Sequence, residues 1–266
     1  MAGHQRPKVT VVVPVYRNRD TLRELSARIH RVFDEEGLEH EILFVDDACP
    51  EGSFQVLEEL AREDDRVGVV ALAENVGQNR AVLAGLGFAG GDAAVVMDAD
   101  LQDPVEAVPR LLARLREGYD AVFAGRRGAY ESFGRLITSR FFKFLLHLLC
   151  GVPADAGIFV AMNRRVIESL LAMEEPRPFI VAMIGCTGLT QVSIPVERVP
   201  RESGRSAYNT RARIRSAYWA ISLVLRRRFP VLRPLLTGVG PAPTPRVRAL
   251  VGARFVQSTA EPRGAP

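Results

Sequence analysis

The stretch with most chemistry in it is Asp98-Ala99-Asp100, which ends the apolar run Ala93–Met97 and precedes Pro104. Two carboxylates one residue apart, on chain that is still extended, can turn toward one point. Such a pair of hard oxygen ligands suits Mg²⁺ or Mn²⁺ carried by a phosphate-containing substrate. A structural reading competes: Asp100 and Asp103 cap a helix that Pro104 opens. Both readings are open on the local sequence. Tyr16 follows a first β-branched run and Asp46-Asp47 close a second, so polar groups gather repeatedly where apolar runs stop.

The elements that must position these groups follow from periodicity. Strands are expected at Val9–Val15, Glu41–Val45, Val67–Leu72, Ala93–Met97 and Asp120–Ala124, with helices over Asp20–Glu35, Phe54–Leu60, Gly77–Phe88 and Val105–Leu115 between them. This alternation with short turns predicts an α/β fold, a mostly parallel sheet flanked by helices. In such a sheet, ligands bind at the carboxyl ends of the strands, where Tyr16, Asp46, Asp47, Asp98 and Asp100 all fall. Beyond it the spacing predicts a helix over Phe133–Leu149 with a basic stripe of Arg140, Lys143 and His147. A strand at Ile158–Met162, a helix at Asn163–Leu171 and a strand at Leu189–Val196 come next.

With 266 residues, 47% of them hydrophobic and 25% charged, the chain can bury a large core and is neither disordered nor collagenous in composition. Cys49, Cys150 and Cys186 are odd in number and lack Cys-x-x-Cys spacing, which argues for buried thiols in a reducing compartment. The first apolar run is short and contains Pro14, so it reads as a strand and not a signal peptide. No apolar stretch reaches the roughly 20 residues needed to cross a bilayer. The net charge of +4 is unevenly spread: thirteen arginines and one acid, Glu202, lie between Arg198 and Arg254. That half favours phosphates, anionic lipid surfaces or nucleic acid. The Phe133–Leu149 helix and the apolar Ala217–Leu225 segment suit a membrane interface, or equally packing on the domain or a partner subunit. Pro234–Pro245 reads as a linker and Ser258–Pro266 as a disordered tail.

Taken in order, the motifs resemble those of inverting GT-A glycosyltransferases of family 2, and within it the polyprenyl-phosphate sugar synthases. Val12-Val13-Pro14-Val15-Tyr16, Phe44-Val45-Asp46-Asp47 through Ser53, Asn75-Val76-Gly77-Gln78-Asn79-Arg80-Ala81 and Met97-Asp98-Ala99-Asp100-Leu101-Gln102-Asp103-Pro104 carry the likeness. Gly125-Arg126-Arg127, Asp155-Ala156-Gly157-Ile158-Phe159 and Arg201 to Tyr208 follow in the family's order. The ordered set favours the metal reading over capping. The chain departs from the family pattern at Arg17-Asn18, at Ala48-Cys49 and at Ser206-Ala207-Tyr208, and it lacks the C-terminal membrane hairpins of some members.

The resemblance implies a Rossmann-like GT-A domain over residues 1–200. A closing loop with a basic amphipathic segment would span 201–235, and a linker and flexible tail 236–266. It implies that Pro14, Tyr16, Asp46, Asp47 and Gln78 serve the donor nucleotide, while Asp98, Asp100 and Gln102 hold Mg²⁺ or Mn²⁺ on its diphosphate. Arg126 or Arg127 would receive an acceptor phosphate, and Asp155 would help shape the sugar or acceptor end or act as base toward an alcohol. Arg201, Arg205, Ser206 and Tyr208 would close over phosphates. The expected reaction moves a sugar from a nucleoside diphosphate to a polyprenyl phosphate, by an enzyme held peripherally on the cytoplasmic face of the membrane and possibly homo-oligomeric. A soluble natural-product or peptide acceptor is the first alternative, and a non-catalytic membrane- or nucleic-acid-binding adaptor the second. Nucleic acid is not an expected partner, because the arginines lack interleaved aromatic platforms.

Overall fold

The computed structural model describes residues 8–127, 133–198, 210–229, 231 and 244–252. They form two compact units, one of Met1–Asp100 with Pro245–Pro266, the other of Leu101–Thr244.

In the first unit, strands β1 (Val9–Val15), β2 (His40–Asp46), β3 (Val67–Leu72) and β4 (Ala93–Val96) alternate with helices α1 (Leu22–Glu35), α2 (Ser53–Glu63) and α3 (Gln78–Phe88). The strands pair in parallel in the order β4-β1-β2-β3. Every residue of the four is buried, which is why they read as continuous apolar runs and not as alternation. The polar exceptions are partnered. Thr10 Oγ1 donates to Glu41 Oε1 at 2.6 Å, and Lys8 Nζ lies 2.8 Å from Glu41 Oε2. On α1 the buried face is Leu22, Leu25, Ile29 and Val32 with Phe33, the stripe its periodicity predicts.

The connection order makes a crevice. From β1 the chain runs outward through β2 and β3, then returns to place β4 on the other side of β1, so the switch point lies between β1 and β4. There the β1–β4 ladder stops at Val12–Val96, whereas the β1–β2 ladder continues to Val15–Asp46. Pro14 sits beyond the shorter ladder, which is how a residue without an N–H is tolerated in a central strand.

Helix α3 packs on this sheet through Gly85. A Cβ there would lie 2.6 Å from Val12 Cγ1 and 2.7 Å from Val45 Cγ2. Alanine would normally favour a helix over glycine by about 1 kcal/mol, but both clashing groups belong to fully buried β-branched side chains. Overpacking therefore wins. Gly85→Ala is expected to lower unfolding stability by about 1–3 kcal/mol in urea denaturation; an unchanged or higher midpoint would contradict this packing.

The second unit contains α4 (Val108–Arg116), β5 (Ala121–Arg127), α5 (Phe133–Cys150), β6 (Val160–Asn163), α6 (Arg164–Leu171), α7 (Ile180–Cys186), β7 (Gln191–Glu197) and α8 (Thr210–Arg228). Strand β5 pairs parallel to β7 and antiparallel to β6. Helices α5 and α8 both pack on α7 and on each other. Phe142 of α5 meets the Phe179 ring edge-on at 5.9 Å, and Ala220, Leu223 and Val224 of α8 are buried. Two of the α8 arginines are used inside the unit: Arg226 Nη2 donates to Glu175 Oε1 and Arg227 Nη2 to the Met173 carbonyl, each at 2.7 Å. Arg177 covers the Trp219 ring at 3.5 Å.

A last strand, β8 (Val247–Val251), lies within the stretch expected as linker and tail. It returns to the first unit and pairs antiparallel with β3 along its outer edge. The expected disorder of Ser258–Pro266 falls outside the described residues.

Candidate active site

Three strands of the first unit end in sharply turned backbone. Arg17 (φ 62°), Ala48 (φ 49°) and Leu101 (φ 60°) each adopt the left-handed region just past the ends of β1, β2 and β4. Non-glycine residues reach that region at a cost of roughly 1–2 kcal/mol each, and such strain collects where side chains must be aimed at a ligand.

At the end of β4, Met97 is fully buried and its N–H is bonded to the Val12 carbonyl. Ala99 is also buried, and its carbonyl accepts the Thr21 hydroxyl at 2.6 Å. Asp98 and Asp100, on either side of it, are both partly exposed. Anchoring the middle residue from beneath leaves the two carboxylates on the accessible side. Gln78 Nε2, at the start of α3, donates to Asp98 Oδ1 at 2.5 Å, so it orients this carboxylate. The same amide was expected to serve the donor nucleotide.

Asp47, expected at the nucleoside, ties down backbone at the end of β2. Its Oδ1 accepts the Val76 N–H at 2.7 Å and its Oδ2 the Gly77 N–H at 2.9 Å, while Asn75 Nδ2 donates to the Asp47 carbonyl. The third motif is thereby strapped to the end of β2, and Gly77, at φ 85°, turns the chain into α3. Asp46 is 1% exposed and accepts the Cys49 N–H. Burial pushes the carboxyls of both Asp46 and Asp47 above the usual range, against the N–H groups they accept. Tyr16 is exposed at the end of β1, with the Arg17 guanidinium 5.3 Å from its ring centroid.

In the second unit, Asp103 and Gln102 converge on one cation. Arg198 pairs with the buried Asp103 carboxylate, and its Nη1 donates to Gln102 Oε1 at 3.4 Å. The residues at the cap positions of the 3-10 turn Val105–Ala107 and of α4 are Pro104 and Ala107, and neither makes a side-chain cap. Asp103 neutralises an arginine nearly a hundred positions away. The Gln102 oxygen expected on a metal is directed at a guanidinium. Arg198 was not singled out in the sequence; its place at the head of the arginine-rich half was the available signal.

Asp155 lies over β5. A Cβ on Gly125 would fall 2.0 Å from Asp155 Oδ2 and 2.3 Å from Ser193 Oγ, so glycine leaves the space that these two side chains occupy. Arg126 and Arg127 occupy the next two positions of β5, opposite Val196 and Glu197 of β7. Arg201, Arg205, Ser206 and Tyr208 lie outside the described residues. His147, part of the basic stripe, has its Nδ1 2.9 Å from the Val152 carbonyl.

Comparisons with known proteins agree with this architecture. The model of the family described as Glycosyl transferase family 2 matches residues 10–171. An uncharacterized glycosyltransferase of Bacillus subtilis, YkcC, is 33% identical over 202 residues, which is 75% of this chain and 62% of that protein. The chain thus spans less than two thirds of that relative's length. Among solved structures, glucosyl-3-phosphoglycerate synthase from Mycobacterium tuberculosis, in complex with Mn²⁺, UDP and phosphoglyceric acid, superposes with a TM-score of 0.63 at 17% identity, covering 94% of this chain and 91% of that one. Mannosyl-3-phosphoglycerate synthase from Rubrobacter xylanophilus gives 0.60 at 20% identity, covering 88% and 78%. A mannosyltransferase from Pyrobaculum calidifontis, in complex with GDP-mannose and Mn²⁺, gives 0.54 at 17% identity, covering 97% and 80%. At these identities the structures establish a shared fold, with a largely parallel central sheet flanked by helices.

The expected polyprenyl-phosphate acceptor is corrected by these likenesses, which run to phosphoglycerate synthases. Helix α5, for which a membrane interface and packing on the domain were equally open, packs on α7 and α8 and leaves Phe144 and Leu148 exposed; no helix among the described residues is long and apolar enough to cross a membrane.

Proposed function

We propose, on the premise that this chain belongs to glycosyl transferase family 2, that it transfers a sugar from a nucleoside diphosphate to a soluble acceptor, with Mg²⁺ or Mn²⁺ on the donor diphosphate. The observation that carries this is the Asp98–Asp100 pair at the switch point, set around a buried Ala99. The donor set fits such an ion. Two carboxylates supply hard oxygens, Gln78 fixes one of them, and the described residues contain no cluster of three or more His, Cys, Asp or Glu that would cage a metal alone. Magnesium and manganese ions that share ligands with phosphates need only one or two carboxylates from the protein. Gln102, committed to Arg198, is not assigned to the ion. Mn²⁺ accompanies UDP in the mycobacterial structure and GDP-mannose in the archaeal one, which supports the same assignment here. When bound, the ion supplies charge neutralisation for the departing diphosphate.

The chain's own residues do the rest. Asp98 and Asp100 fix the diphosphate end of the donor, and the strap held by Asp47 keeps Gln78 in place behind Asp98. A soluble acceptor attacks through a hydroxyl, which must lose its proton. Asp155, over the Gly125 position of β5, is the base in this reading. Arg126 and Arg127 of β5 receive an anionic group on the acceptor, and the phosphoglycerate bound by the mycobacterial relative supports that class.

The test is incubation of the purified chain with UDP- and GDP-sugars, Mn²⁺ and a panel of small hydroxy acids and their phosphates, with polyprenyl phosphate as a further arm. Metal-dependent transfer to a soluble acceptor is expected, and transfer confined to polyprenyl phosphate would overturn the reading. Gly125→Ala pushes a methyl group into the Asp155 carboxylate, and a displacement near 1 Å can cost about 100-fold. It is expected to lower kcat by about 10- to 100-fold with donor binding unchanged; full activity would remove Asp155 from the base role.

A further inference from the structure

Strand β8 brings a cation to the carboxyl edge of the first unit from far along the chain. Its antiparallel register with β3 puts its beginning beside the end of β3, where the Ala73 N–H donates to the Arg246 carbonyl at 2.8 Å and Leu72 faces Val247. The next residue, Arg248, reaches inward. Its guanidinium carbon lies 4.6 Å from the Phe54 ring centroid at the start of α2, and its Nη2 is 3.8 Å from Asp46 Oδ2 at the end of β2. The two charges differ in access. The Asp46 side chain is 1% exposed and that of Arg248 51%, so a ligand arriving at the end of β2 meets the guanidinium and not the carboxylate.

The spacing of the sheet says which part of a donor would arrive there. Neighbouring strands lie about 4.8 Å apart, and β2 stands two strands from β4 in the order β4-β1-β2. With the diphosphate at Asp98 and Asp100, the end of β2 is therefore about 10 Å away, within the reach of a nucleoside from its diphosphate. An arginine offers hydrogen-bond donors only, and this one is held by a ring face and a buried carboxylate at the same time. It complements a base that presents a carbonyl oxygen, as uracil and guanine do, and it opposes an exocyclic amino group such as that of adenine.

We propose that Arg248, delivered by β8, binds the nucleobase of the donor and selects bases with a carbonyl oxygen at the exposed edge. The inference rests on the sugar-nucleotide reading of the Asp98–Asp100 site and adds to it a specificity residue from the C-terminal segment. Asp46 steers the guanidinium from below without touching the base, and Phe54 forms the floor on which it rests.

The experiment is calorimetric titration of the full chain with UDP, GDP, ADP and inorganic diphosphate, each with Mn²⁺, for the wild type, Arg248→Ala and Arg248→Lys. The wild type is expected to bind UDP or GDP more tightly than ADP. Arg248→Ala should weaken that binding by about 10- to 100-fold, the loss of a charge-assisted hydrogen bond, and leave inorganic diphosphate unaffected. Arg248→Lys keeps a cation near Asp46 and loses the fork, so it should keep the wild-type unfolding midpoint while losing most of the base preference. A merely structural arginine would shift the midpoint in the alanine variant and leave the order of nucleotides intact, which overturns the proposal. Equal loss of UDP and inorganic diphosphate would place Arg248 on phosphate and also overturn it. Failure of the wild type to bind any nucleoside diphosphate would instead sink the underlying reading.

Discussion

Replacing Asp100 with Ala is expected to slow sugar transfer by about 100- to 1000-fold, the loss typical of one preorganised electrostatic group at a developing charge. The carboxylate sits just past β4, beside a buried Ala99 whose carbonyl is fixed by Thr21, so the backbone has little reason to move when the side chain is cut back. What disappears is one of two hard oxygens for the divalent ion, and with it much of the neutralisation of the leaving diphosphate. Because binding of the ion weakens, raising Mn²⁺ should recover part of the rate in the variant and none in the saturated wild type. Steady-state kinetics at two metal concentrations, beside a circular-dichroism check of folding, measure this. A variant with wild-type kcat would show that Asp100 is not a ligand.

Replacing Asp47 with Ala is expected to cost about 2–5 kcal/mol of stability, because the half-buried N–H groups of Val76 and Gly77 lose a charged acceptor. The consequence reaches the site by a short route. The strap from Asn75 to Gly77 leads directly into Gln78, whose amide orients Asp98. Transfer should therefore fall together with stability, and the free nucleoside should bind nearly as before. Urea denaturation and uridine titration separate these outcomes. An unchanged midpoint with lost uridine affinity would assign Asp47 to the nucleoside contact suggested by its motif instead of to the strap.

The parallel half of the fold was legible because its strands are buried on both faces and read as unbroken β-branched runs, bounded by turn residues within a position or two of the observed ends. The Asp98–Asp100 pair was legible for a related reason: a strand that ends in two carboxylates one residue apart says both where they are and that they can share a target. What could not be read was the partner of each polar group. Asp103 pairs with Arg198 and Asp47 with a loop some thirty residues ahead, and pairing over such distances leaves no periodic trace. The acceptor was carried over from the family resemblance, and an arginine pair such as Arg126-Arg127 suits a lipid phosphate and a soluble anion alike. The spacing of α5 left a membrane interface and packing on the domain equally open; the helix packs on α7 and α8 and leaves Phe144 and Leu148 exposed. Helix α7 was missed because Ile180–Cys186 is only seven residues long and buried nearly all round, without an amphipathic period. Strand β8 was missed because five residues behind a proline-rich stretch resemble a tail; only the free edge of β3 gives them a partner.

The account depends most on a divalent ion held jointly by this chain and a nucleoside diphosphate. Electron paramagnetic resonance of Mn²⁺, titrated with the protein in the presence and absence of UDP or GDP, reads that directly. The free-ion signal should fall when protein and nucleotide are both present, and fall far less for the doubly substituted Asp98→Ala, Asp100→Ala chain. If the double variant and the wild type withdraw the same amount of Mn²⁺ at equal nucleotide, the two carboxylates do not form the diphosphate clamp.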